Sequence, residues 1–197
     1  MRVRLPAVVA LGALIVAAAA SASVPQRKNV DFASAPLGPA SAFAGVSRGR
    51  THGLHIVLTA RARRVALISW NGDRPLLVAP TNTGGFCTSL AGPYGGAGCF
   101  TAARERSRLD PGLTGDAGGP IAFNGTFFDS RGTRLEVQYE DGRSTAVPII
   151  WVSTPIDAGF FVFKIPSAHR RPGHRPLTIS LLSASGSRLA RAQAGPR

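Results

Sequence analysis

The chain has 197 residues, with 23 Lys and Arg against 10 Asp and Glu, for a formal charge of +13. That length allows one domain or two small ones, and an apolar content of 44% excludes a fully disordered chain. Long apolar runs are too few for a multi-span membrane protein, and two cysteines cannot build a disulfide-dense scaffold or, alone, a tetrahedral zinc site.

Residues 1–22 have the three-part layout of a secretory signal. Arg2 and Arg4 form a positive start, Ala7 to Ala20 is apolar, and Ala20-Ser21-Ala22 is a small-x-small cleavage site. Cleavage after Ala22 removes Arg2 and Arg4 and lowers the charge by two, to +11. The competing reading is a retained signal anchor over residues 5–24, because an uncharged stretch of about 20 residues is just long enough to span a bilayer. Either way the body of the protein is expected outside the cytoplasm. Residues 23–51 are dominated by Pro, Ala and Ser and show no persistent hydrophobic period, so they read as a flexible linker.

From Leu54 the pattern changes to short β-type runs broken by turn signals. Leu54–Ala60 and Val65–Trp70 come first, then Asn71-Gly72, a type I′ hairpin signal. Leu76–Val78, Gly85–Leu90 and Cys99–Ala102 follow. Residues 52–103 are thus expected to form a β-meander. Residues 103–119 read as a break, on the strength of Asp110-Pro111-Gly112 and Gly115 to Gly119. Residues 118–193 are then expected to form a β-sandwich, in one domain with 52–103 or separate from it. Its strands are Ile121–Phe128, Leu135–Tyr139, Thr145–Val152, Gly159–Ile165, Leu177–Leu181 and Arg188–Ala192. Turns every 8–12 residues and the absence of a helical period predict an all-β fold, an immunoglobulin-like or related antiparallel sandwich, after an N-terminal signal or anchor helix.

Export permits a disulfide, and Cys87 and Cys99 are the only pair available. Two free thiols are the alternative; no histidine lies near either in sequence. Gly115-Asp116-Ala117-Gly118-Gly119-Pro120 resembles the nucleophile motif of chymotrypsin-like proteases. Ala117 has no hydroxyl, and Arg61 and Ala62 stand where the histidine is needed, so two catalytic roles are empty. Glu140-Asp141 reads as a hairpin turn rather than a glycosidase pair, whose carboxyls face each other across a cleft. Phe160-Phe161-Val162-Phe163 puts aromatics on both faces of one strand, so one face should meet a further layer or a partner.

His169-Arg170-Arg171-Pro172-Gly173-His174-Arg175 is a basic loop with no acid beside it in sequence. His169, Arg170, Arg171, His174 and Arg175 are therefore the candidate anion contacts, since guanidinium forks suit phosphate and carboxylate oxygens. No metal site, catalytic residue or cofactor is expected. The arginine groups are neither a dense stripe nor interleaved with aromatics, so nucleic acid is not an expected partner.

The layout of residues 85–192 resembles a group of exported two-cysteine, β-rich proteins of high-GC Gram-positive bacteria. The likeness rests on the Cys87–Cys99 segment, the strand opened by Gly118-Gly119-Pro120, the Asp141-Gly142 hairpin, Val147-Pro148, Gly159-Phe160-Phe161 and the closing strands from Pro176 to Leu189. That group carries no assigned reaction or ligand, so the resemblance implies a fold and no activity. The expectation is a non-catalytic, exported envelope module with a diffuse basic surface for anionic wall polymer or a membrane surface. The alternatives are a secreted hydrolase and a membrane-tethered ectodomain. The hydrolase would need a pocket joining at least two of Asp116, Asp129, Glu140, Asp141, His169 and His174.

Overall fold

The computed structural model describes residues 27–43, 50–51, 54–69, 73–90, 96–101, 109–116 and 119–194. The expected signal or anchor segment, Trp70, Asn71-Gly72 and Ala117-Gly118 lie outside the described residues. Fifteen strands are described, in chain order β1 Lys28–Val30, β2 Arg50–Thr51, β3 Leu54–His55, β4 Arg63–Ser69, β5 Asp73–Pro80, β6 Phe86–Leu90, β7 Ala97–Phe100, β8 Leu109–Asp116, β9 Gly119–Phe127, β10 Gly132–Tyr139, β11 Ser144–Val147, β12 Ile150–Val152, β13 Ala158–Lys164, β14 Pro176–Ser183 and β15 Arg188–Gln193. The fold is all-β, as expected; a single 3-10 turn, Ser167–His169, is the only described helical element.

The strands form three stacked sheets and one short β2–β3 ribbon. The central sheet has the order β1-β12-β13-β9-β8, and the C-terminal sheet β11-β10-β14-β15. These two make the sandwich: Phe123, Phe127, Trp151 and Phe161 of the central sheet pack on Leu135, Val137, Tyr139, Ile179 and Leu181 of the other. The N-terminal sheet, β4-β5-β6-β7, covers the opposite face of the central one. There Val65, Leu76, Val78, Phe86 and Leu90 share a core with Val152, Ile156, Ala158 and Phe160. Described residues of both 52–103 and 118–193 thus contribute to one of the core clusters.

This third layer accounts for the aromatic run on β13. Successive strand residues point to opposite faces, so Phe160 enters the N-terminal interface while Phe161 enters the sandwich. Glycines sit opposite the large rings: Gly159 pairs Phe127 and Gly125 pairs Phe161 across β9–β13. A Cβ at Gly159 would lie 2.0 Å from the Phe127 ring, and one at Gly125 2.6 Å from the Phe161 ring. The absent side chains leave room for rings that lie across the strand.

Three expectations are corrected. Residues 27–43 are not a flexible linker: β1 pairs in parallel with β12, and Phe32, Ala35 and Phe43 are buried. The few apolar residues in that stretch lack a period because they cap two different cores, Phe32 one and Phe43 another. Residues 109–116 are a strand, although Pro111 and Gly112 read as a break. They lie on the sheet edge, where a strand tolerates a missing N–H. Finally, 145–152 is not one strand. It splits around Pro148, with β11 in the C-terminal sheet and β12 in the central one.

The N-terminal segment is tied down by polar contacts as well. The Phe32 amide donates to Ser153 Oγ at 3.0 Å, and Ser153 Oγ donates to Asp31 Oδ1 at 3.1 Å. Hydrogen bonds from Ser34 and then Ser153 hold the Asp31 carboxyl below its ordinary value. A lowered carboxyl stabilises the fold above its unfolded pKa of about 4, and that contribution fades as pH falls through the lowered value. Ser153→Ala is expected to lose about 1 kcal/mol. The loss should shrink as pH falls from neutral through the lowered Asp31 value. Urea unfolding at neutral and at acid pH checks it.

Candidate functional site

Two places in the molecule gather polar chemistry. The first is a cleft of about 260 Å³ between the N-terminal and central sheets, open to solvent at one side. Leu76, Leu90 and Phe100 line it from one sheet, and Phe160, Phe161 and Val162 from the other. Its polar lining is Thr88, Asp110, Asn124 and Thr126. The cleft exists because small residues occupy its wall. Gly98 on β7 and Gly96 just before it line the cleft, and a Cβ at either meets nothing within 4 Å. Gly98 pairs with Thr88 and so shares its face, while the neighbouring Cys99 faces the other way.

Thr126 is the notable residue of this cleft. It is buried, at 3% exposure, and its Oγ1 has no hydrogen-bond partner among the described residues. A buried hydroxyl left unpaired costs roughly 1–3 kcal/mol. Asp110, by contrast, is exposed at the rim.

The wall carrying Gly98 is held by the Cys87–Cys99 disulfide, which forms as expected between directly opposed residues of β6 and β7. Cys87 is fully buried on the far face of this sheet, with Phe43, Ile56, Leu77 and Ala79. The bond closes the β6–β7 hairpin behind the cleft.

The second place is the basic loop. The sequence shows no acid beside His169 and His174, but the fold supplies one. The β10–β11 turn docks on the loop by a reciprocal pair of bonds: the Glu140 amide donates to the Arg175 carbonyl at 2.8 Å, and the Arg175 amide donates to Glu140 Oε2 at 2.9 Å. This docking sets Asp141 Oδ2 3.1 Å from His174 Nδ1 and 3.8 Å from His169 Nδ1. The His169 ring is stacked on buried Tyr139, with centroids 3.7 Å apart and planes 14° apart. The hydrogen bond from His174, then that from the Arg143 amide and the charges of His169 and Arg143, hold the Asp141 carboxyl below its ordinary value against a desolvation that raises it. Burial raises the Tyr139 phenol.

The expected anion contacts therefore divide. The Arg170 Nε donates to the Ile165 carbonyl at 2.9 Å, so this guanidinium braces the loop. Arg171 is exposed, and Arg175 is half-buried with its Nε unpartnered. His169 and His174 face Asp141, a carboxylate of the protein itself. Arg27 and Arg63 also have structural work: Arg27 donates to Gly132 O at 3.0 Å and lies over Trp151, and Arg63 donates to Ala35 O at 2.6 Å and lies over Phe32. Arg61, Arg64, Arg131, Arg143, Arg188 and Arg191 remain exposed with Arg171.

Of the six residues a hydrolase would need to join, Asp141, His169 and His174 come together, and Glu140 docks beside them. Asp129, Glu140, Asp141, His169 and His174 do not line the cleft. Asp129 lies in the β9–β10 turn, bonded by both ends of the Arg131 guanidinium at 2.9 and 2.7 Å. Asp116 pairs with Gly119 at the end of the β8–β9 ladder, so the described residues of the protease-like motif lie on two paired strands. Sequence reasoning missed Asp110, Asn124 and Thr126; only the alternation of β9 hinted that Asn124 and Thr126, two residues apart, share a face. Comparison with known proteins finds no matching family model, no similar curated protein and no similar solved structure.

Proposed function

We propose that this chain is an exported, non-catalytic binding module of the cell envelope, and that its ligand is a hydroxyl-rich, anionic wall polymer. The cleft, with Thr88, Asp110 and Asn124 in its lining, is the observation that carries this reading. At about 260 Å³ it is smaller than the ~300–1,000 Å³ usual for drug-sized ligands. That size suits one sugar-like unit of a chain, with aromatic and aliphatic walls for its apolar face and Thr, Asn and Asp groups for its hydroxyls. The exposed arginines supply the attraction to the polymer's phosphate or carboxylate groups. The signal-like N-terminus and the disulfide are in keeping with export.

The test is retention of the purified protein on isolated wall glycan. Retention should be strong at low salt and fall steeply toward about 0.5 M, as screening shortens the reach of the arginine charges. Gly98→Leu should abolish what remains at intermediate salt, because the new side chain enters open space in the cleft without displacing a neighbour. Retention that ignores both salt and Gly98→Leu contradicts the reading. Retention on anionic lipid vesicles, with none on glycan, moves the ligand from polymer to membrane.

A further inference from the structure

The histidine pair was expected to meet an anion. In the fold it meets Asp141, and the three side chains present ligand atoms that all lie within 4.8 Å of one another. We propose that Asp141, His169 and His174 form a binding site for a divalent transition-metal ion, of the zinc class.

The donor set favours this class. Two imidazoles and one carboxylate are borderline ligands suited to zinc, nickel or copper, whereas calcium and magnesium prefer sites built wholly of oxygen. Ligand atoms around a zinc ion lie about 2.0–2.2 Å from it. The 3.1 and 3.8 Å separations between the carboxylate oxygen and the imidazole nitrogens are spans that one such ion can bridge.

The site is also held in place before any ion arrives. The paired Glu140–Arg175 hydrogen bonds, one through the Glu140 amide and one through its carboxylate, fix the turn that carries Asp141 against the loop that carries both histidines. Tyr139 holds the His169 ring by stacking, and Nδ1, which also lies 3.2 Å from the His174 carbonyl oxygen, gives up that contact when it turns its lone pair to an ion. The His174 side chain is 45% exposed, which gives the ion a way in and leaves room for water or an outside ligand in a remaining position. Arg143, with its Nε 3.9 Å from Asp141 Oδ2, is the neighbouring charge that opposes a cation; its side chain is 77% exposed and free to swing away.

Equilibrium dialysis of the full chain against zinc ion alone, in a buffer that does not chelate, tests the site. The expected result is one zinc per chain. Asp141→Asn, His169→Ala and His174→Ala should each weaken that binding by about tenfold or more. His55→Ala, at an exposed histidine on β3 that touches none of these residues, should leave it unchanged. Near-UV circular dichroism of each variant shows whether the fold survives; His174→Ala, at the half-exposed ligand, is the variant that keeps the test decisive if Asp141→Asn disturbs the turn. Folded wild-type protein that takes up no zinc overturns the proposal. So does uptake that His174→Ala leaves unchanged.

Discussion

Removing the disulfide by Cys87→Ala with Cys99→Ala is expected to lower stability by about 3 kcal/mol. The bond spans 12 residues of sequence and closes a glycine-rich hairpin, which the unfolded chain would otherwise explore freely. A sheet wall built with Gly96 and Gly98 has little side-chain packing of its own, so the bond replaces contacts that those residues cannot make. The double variant should also lose ligand retention, because β7 is the cleft's outer wall. Urea unfolding of both proteins checks the first effect. A difference under about 1 kcal/mol means that burial on the far face, around Cys87, already holds the hairpin.

Phe86→Ala should have a comparable or larger effect, about 3–5 kcal/mol. Phe86 is 2% exposed and sits where the N-terminal and central sheets meet. Its ring lies 5.2 Å from Phe100 on its own sheet, and 5.9 and 5.4 Å from Phe128 and Phe160 across the interface, the last edge-on. Truncation therefore opens a cavity that neither sheet can close alone. Because the core is shared, the whole molecule should lose stability in one transition, seen alike by tryptophan fluorescence and by far-UV dichroism. Two separate transitions, with the later one unmoved by the substitution, contradict a shared core.

Much of the fold can be read from local pattern. The alternation of Leu135–Tyr139 and Leu177–Leu181, and the Asp141-Gly142 turn, predict strands and a hairpin that the structure contains. The aromatic run Phe160–Phe163 correctly implies a further layer, because a strand apolar on both faces must be covered on both. The misses have a common cause. β1 and β8 are edge strands, and edges carry the polar, proline and glycine residues that otherwise mark loops. Whether a run such as 145–152 stays in one sheet is decided by what packs above and below it, which no local window contains.

The candidate sites were less legible, because each is made by docking of distant segments. Asp141 reads as a turn residue until the Glu140–Arg175 bonds place it against His169 and His174. Thr126 reads as an ordinary strand hydroxyl until β6 and β7 enclose it. The charge reading is altered in the same way. Arg27, Arg63 and Arg170 bond to carbonyls inside the fold, so the basic surface is carried by a smaller set of exposed arginines than the composition suggests.

The most direct test of the central claim is an amide and methyl NMR titration of the protein with short fragments of wall glycan at moderate salt. The account predicts that the largest shifts cluster at Thr88, Gly98, Asn124, Thr126 and Val162, around the cleft. Shifts confined to the exposed arginines, with the cleft silent, would contradict it.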